Sequence, residues 1–67
     1  MTDSKALRKI IESKGLKYKY IAEVLHLSPF GLQRKIDNVT EFKASEIKRL
    51  SQLLSLSANQ QQKIFFI

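Results

Sequence analysis

The chain has 67 residues, enough for one small domain and too few for a second. It contains no cysteine, so disulfides and thiolate metal sites are excluded. Twelve lysines and arginines stand against six acidic residues, and the resulting net charge of +6 points to a polyanionic partner. Nucleic acid is the first expectation, and an acidic membrane surface is the alternative.

The first predicted helix follows three residues that are all good N-caps, Thr2, Asp3 and Ser4. Its apolar stripe recurs with helical spacing and consists of Leu7, Ile10 and Ile11. It ends at Gly15, because glycine readily takes the left-handed conformation of a helix end. We expect the stripe to face the core, and the polar residues Arg8, Lys9 and Glu12 to remain outside.

The central residues 16–38 predict two short helices separated by a tight turn. The first covers about residues 18–25 and the second about residues 29–37. Ser28 can cap the second helix while Pro29 takes the first helical position, where a missing N–H has no cost. The layout is typical of a DNA-reading helix-turn-helix, but an ordinary helical hairpin uses the same turn chemistry.

His26 stands in the turn between these helices, and we expect it there with a positive φ angle. A single histidine without cysteines or paired carboxylates supports neither a metal site nor a general base. No catalytic triad can be assembled either, so we predict no enzyme, no cofactor and no small-molecule ligand. Residues 1–9 lack the pattern of a signal sequence and no apolar run could span a membrane, so we expect a cytoplasmic protein.

The rest of the chain predicts two more helices. The helical period resumes at Ala44 and continues through Ile47, Leu50, Ser51 and Leu54. Ser57 and Gln60 have the spacing of a capping box, which opens a last helix over about residues 58–66. No strand pattern is present, so we predict an all-α, compact five-helix domain over residues 1–67.

Four large apolar residues close the chain: Ile64, Phe65, Phe66 and Ile67. They cannot all face one small core. Either Ile64 and one phenylalanine complete the core, or Phe65, Phe66 and Ile67 form a self-association patch.

Several residues resemble the lambda-repressor-like, Cro/CI-type helix-turn-helix family, and in particular the short, single-domain, Cro-like regulators of phages and mobile elements. The resemblance covers nearly the whole chain and rests on Gly15-Leu16, Ile21-Ala22, Leu27-Ser28, Leu32, Ile36, Asp37-Asn38 and Leu53-Leu54-Ser55-Leu56-Ser57. It implies a sequence-specific, double-stranded DNA-binding transcriptional regulator, most simply a repressor. Lys17 stands where the family usually has Thr or Ser, and Pro29 and Phe30 where polar base readers are common.

With Leu32 and Ile36 buried, helix geometry turns the opposite side of residues 29–37 towards the major groove. We predict base contacts from Pro29, Phe30, Gln33 and Arg34. Arginine can pair with guanine and glutamine with adenine, and Phe30 either contacts a thymine methyl group or packs on the preceding helix.

Five residues with cationic or hydroxyl groups lie on or near that helix and are predicted to hold phosphates: Lys17, Tyr18, Lys19, Lys35 and Lys43. Lys17 and Lys43 stand at helix starts where Ser or Thr would cap better, which suits phosphate binding, although water could cap both starts. We expect a homodimer, at least on DNA, because two half-sites give more specificity than one.

Two rival functions use other parts of the sequence. A protein-binding module, such as an antirepressor or an antitoxin-like partner, would use the apolar C-terminal end. An RNA binder would use the basic face, but the helical pattern lacks the aromatic stacking platforms on a sheet or loop that RNA readers show.

Overall fold

The computed structural model describes residues 1–66, which form five helices joined by short connections. In chain order the helices are α1 (Ser4–Ser13), α2 (Tyr18–Val24), α3 (Pro29–Ile36), α4 (Ala44–Leu53) and α5 (Ala58–Phe65). No strand occurs in residues 1–66, and the predicted all-α class is confirmed. Helices α2, α3 and α5 end one residue earlier than predicted, because Leu25, Asp37 and Phe66 are their C-cap residues.

Two of the helix starts follow the predicted capping chemistry. The Ser28 hydroxyl accepts the Gly31 N–H at 2.9 Å, and Pro29 is the first residue of α3. The Ser57 hydroxyl accepts the Gln60 N–H at 3.2 Å, while Gln60 Oε1 accepts the Ser57 N–H at 3.0 Å. Since these bonds satisfy N–H groups that a helix leaves without partners, both helices begin at defined residues.

Helices α1 to α4 all end in the same way. The second residue after each helix is left-handed, with φ angles of 66° at Gly15, 58° at His26, 64° at Asn38 and 54° at Ser55. The next N–H then bonds back into the last turn, as from Leu27 to the Ala22 carbonyl at 2.8 Å. This is the Schellman arrangement, and the positive φ predicted for His26 is confirmed.

The core contains one side of every helix. Its buried apolar residues are Leu7, Ile11, Ile21, Ala22, Leu25, Leu32, Ile36, Ile47, Leu50, Leu54, Ile64 and Phe65. Helix α2 packs against α3 and α4, and α1 packs against α5. No helix in residues 1–66 is both long enough and apolar enough to cross a membrane.

The N-terminal residues tie the end of α3 to the end of α5. The Thr2 N–H donates to Asn38 Oδ1 at 2.8 Å, and Asn38 Nδ2 donates to the Thr2 carbonyl at 2.8 Å. The Asp3 N–H donates to the Ile64 carbonyl at 2.6 Å. These bonds hold the C-terminal end of α3 in place, so that α3 is anchored at both ends.

Candidate nucleic-acid interface

Helix α3 has one fully buried side and one open side. Leu32 and Ile36 are 0% exposed, whereas the Phe30 side of the helix lies in solvent and Phe30 is 71% exposed. Phe30 therefore makes little contribution to the core, and its ring is accessible to a ligand that covers this side of α3. The alternative prediction, that Phe30 packs on α2, does not account for this exposure.

Arg34 lies one turn after Phe30 on the open side. Its guanidinium carbon is 5.5 Å from the centre of the Phe30 ring. This cation–π contact orders a long side chain that would otherwise sample many rotamers. An exposed contact of this kind contributes about 0.5–1 kcal/mol, so it reduces the entropic cost of holding the guanidinium against an acceptor-rich base edge.

Gln33 is half-buried beside these two residues, and α1 provides its partner. Arg8 Nη2 donates to Gln33 Oε1 at 2.9 Å and to Asp37 Oδ1 at 2.8 Å. Arg8 thus joins α1 to α3. The sequence pattern predicted instead that Arg8 remains outside. No spacing rule could find it, because 25 and 29 residues separate Arg8 from its two partners.

Arg8 also contacts the start of α2. Its guanidinium carbon lies 5.6 Å from the centre of the Tyr18 ring, and the Tyr18 hydroxyl lies 3.4 Å from Glu12 Oε2. The hydrogen bond to Asp37 raises the pKa of Arg8 above its usual value, with smaller contributions from Tyr18, against a lowering by burial. Tyr18, predicted to touch phosphate, therefore lies at the edge of the Arg8 cluster.

Lys35 is placed differently from its predicted role as a phosphate contact. Its ammonium Nζ lies 2.6 Å from Glu46 Oε1, and the two side chains are only 13% and 8% exposed. An ammonium held in this way inside the protein cannot reach a phosphate without breaking the pair. We therefore remove Lys35 from the predicted phosphate contacts and assign it to the joint between α3 and α4.

Lys17 and Lys43 are the N-cap residues of α2 and α4. The two helix starts have the same pattern in the sequence but differ in the structure. Neither Lys17 nor Lys43 makes a side-chain cap, as expected for a side chain without an acceptor. However, Glu46 Oε1 accepts the Lys43 N–H at 2.8 Å, so the start of α4 is capped from within the helix. Lys17, Lys19 and Lys43 are all exposed and remain available to a phosphate backbone.

The predicted self-association patch is divided by the structure. Phe65 is 3% exposed and packs edge-to-face on Phe42, with ring centres 5.6 Å apart, so it is a core residue and not an interface residue. Phe66 is 54% exposed. Ile67 lies outside the described residues.

Phe66 borders an open groove of about 210 Å³. The groove is lined by Met1, Thr2, Asn38, Glu41, Phe42, Ile47, Phe65 and Phe66. Met1 is 75% exposed, and with Phe66 it presents apolar surface at the rim. This groove has both apolar and polar lining residues, and it lies at the end of the domain where α5 meets the N-terminus.

Comparison of the chain with protein-family models, with curated proteins and with solved structures gives no match.

Proposed function

We propose that this chain is a sequence-specific, double-stranded DNA-binding transcriptional regulator, acting as a repressor, that inserts α3 into the major groove. The resemblance to Cro-like regulators of phages and mobile elements supports the class. In this proposal the protein works in the cytoplasm, has no enzymatic activity and needs no cofactor. Bound protein would act by blocking access of polymerase to a promoter.

The open side of α3 is the observation that carries the proposal. Phe30 and Arg34 are stacked on each other, and Gln33 lies next to them. Arginine and glutamine both match base edges in the major groove, and an exposed aromatic ring matches the thymine methyl group. Phe30 and Arg34 are both exposed, so this combination is accessible to a duplex.

Exposed lysines around α3 would provide the phosphate contacts. Lys17 and Lys19 lie at the start of α2, and Lys43 immediately precedes α4. With a net charge of +6, the chain would be attracted to any DNA duplex before it finds its site. Phosphate contacts would set the register, and α3 would read the sequence.

Selection of binding sites from random duplex DNA tests the proposal directly. We expect a short preferred site whose affinity falls steeply with salt, with a slope of about −0.9 per phosphate contact. Recovery of two inverted half-sites about 10 base pairs apart would support a symmetric dimer. The absence of any base preference would refute the proposal.

A second function, protein binding, is favoured by one observation, the apolar groove at Met1 and Phe66. An antirepressor or antitoxin-like module would use this groove and would not need α3. The two functions predict different effects for one variant: Arg34→Ala would remove base preference at one position of each half-site in a DNA reader, and would leave protein binding intact in the module.

We predict that Phe66→Ser weakens a DNA-bound homodimer. Phe66 is exposed at the groove, and a single domain of this size makes few base contacts, so dimer formation through this end would raise specificity. Sedimentation with a two-half-site duplex should show that the variant binds as a monomer. Tyr20→Ser is the matched control, because it removes an exposed aromatic side chain that neither lines the groove nor belongs to the predicted DNA contacts, so it should leave the dimer intact. If Phe66→Ser formed the dimer as readily as the wild type, the dimer interface would lie elsewhere.

We predict that Lys17→Ser changes stability and DNA binding in opposite directions. Serine restores an N-cap acceptor at α2, which should raise the free energy of unfolding by about 0.5–1 kcal/mol. Loss of one phosphate contact should weaken DNA binding and reduce the salt slope by about one unit. Urea denaturation and salt titration on the same protein measure the two effects.

Lys17→Ala is the control for this pair of effects, because alanine removes the charge without supplying an acceptor. It should weaken DNA binding as Lys17→Ser does, but without the gain in stability. Unchanged affinity and salt slope in both variants would show that Lys17 plays no part in binding.

A further inference from the structure

The guanidinium of Arg8 is held by three contacts on two neighbouring helices. It donates through Nη2 to Gln33 Oε1 and to Asp37 Oδ1, at 2.9 and 2.8 Å, and it lies over the Tyr18 ring at 5.6 Å. The Arg8 side chain is 32% exposed, yet these contacts leave it little rotational freedom. Arg8 is therefore a rigid hydrogen-bond donor beside the open side of α3.

A rigid donor at this position determines which way the Gln33 amide points. The carbonyl end faces Arg8, so the Nε2 end faces away from it. Rotation of the amide by a half-turn would place two N–H donors against each other and lose the charge-assisted bond. The Nε2 donors make no hydrogen bond within residues 1–66 and are available to a ligand.

The orientation of this amide matters for reading DNA. An amide that can rotate offers either a donor or an acceptor at one place and discriminates poorly between bases. An amide with its carbonyl held by Arg8 presents Nε2 in one direction only. Purine N7 and thymine O4 are acceptors in the major groove, whereas cytosine offers only its N4 donor there.

We propose that Arg8 is a positioning residue that fixes the Gln33 amide for base reading, although Arg8 itself contacts no base. The assignment rests on the proposed DNA-binding function and adds to it a specificity determinant on α1. Asp37 Oδ1 accepts a second hydrogen bond from Arg8 Nη2, and its carboxylate compensates the charge of Arg8. Arg8 therefore adds to sequence preference without serving as a phosphate contact.

The test uses the double variant Arg8→Met with Asp37→Asn. One positive and one negative charge are removed together, so the net charge stays at that of the wild type, and non-specific affinity and the salt slope should not change. Discrimination at the base read by Gln33 should fall at least about fivefold, the lower end of what one base contact contributes. Gln33→Ala, assayed on the same selected site, identifies that base position.

Asp37→Asn alone is the matched control, because the amide oxygen of asparagine can still accept the hydrogen bond from Arg8 Nη2 and leaves Arg8 able to donate to Gln33 Oε1. It should keep the base preference of the wild type at every position. A folded double variant that also keeps the wild-type preference at the Gln33 position would overturn the assignment. A wild-type chain without any base preference would refute the proposed function itself, so the two failures are distinguishable.

A second measurement needs no DNA and covers the case in which the double variant does not fold. The NMR order parameter of the Gln33 side-chain amide should be high in the wild type and in Asp37→Asn. It should fall in Arg8→Lys, which keeps the charge but lacks the planar fork of the guanidinium. An equally ordered Gln33 amide in Arg8→Lys and in the wild type would contradict the role proposed for Arg8.

Discussion

Arg34→Ala is expected to remove base preference at one position of each half-site, with a loss of about 1–3 kcal/mol against the best site. Arg34 lies on the open side of α3 and is ordered by its stacking on Phe30, with 5.5 Å between the guanidinium carbon and the ring centre. A pre-ordered guanidinium can form two parallel hydrogen bonds to guanine. Competition assays with single-base variants of the selected site measure the loss.

Two controls separate base reading from simple loss of charge. Arg34→Lys keeps the positive charge but lacks the bidentate fork, so it should lose most of the base preference while retaining non-specific affinity. Arg49→Ala removes an exposed arginine from α4, and we expect the relative preferences among sites to remain unchanged. If Arg34→Ala weakened binding to every sequence equally, Arg34 would be a phosphate contact. The proposed role of Arg34 as a base reader on α3 would then be wrong.

The local features of the fold were predictable because short-range chemistry determines them. Ser28 and Pro29, two adjacent residues, define the start of α3. The turn at His26 was predictable because His26 lies between two amphipathic helical patterns. The burial of Leu32 and Ile36 follows from their spacing, and that burial decides which side of α3 is open. The all-α class required only such local signals.

The polar contacts between helices were not predictable in the same way. Arg8 and Lys35 look like ordinary exposed cations in the sequence, and each finds its carboxylate only when helices distant in the chain are packed together. Charged residues are frequent and interchangeable in a helical pattern, so no periodicity selects the pair that forms. The same limit applied to Phe65, since the pattern left open which phenylalanine enters the core.

Lys35→Met is expected to destabilise the domain by about 1.5–3 kcal/mol, the range for a hydrogen bond to a charged group. The substitution keeps the apolar stem of the side chain but leaves the Glu46 carboxylate, which is 8% exposed, without its ammonium partner. For a domain of this size the loss is a large part of the total stability. Lys48→Met, at an exposed position on α4, should change stability by no more than about 0.5 kcal/mol.

The same pair gives the domain a dependence on acid whose sign follows from Glu46. Burial raises the pKa of Glu46, but the hydrogen bonds from Lys35 and from the Lys43 N–H together outweigh it, and the pKa is lowered below its ordinary value of 4.5. The folded state therefore binds the proton less readily than the unfolded state. The contribution of the ionised Glu46 carboxylate to the free energy of unfolding is complete above pH 4.5. It is lost as the pH falls through the lowered pKa of Glu46.

Urea denaturation as a function of pH measures this contribution. The wild type should lose stability on acidification below pH 4.5, and Glu46→Gln should remove that part of the loss, because its amide cannot titrate. Lys35→Met should also show a weaker dependence, since the lowering of the pKa by Lys35 is gone. A pH profile identical in all three proteins would mean that the pair contributes no stability, and α3 would then be held against α4 by its apolar contacts alone.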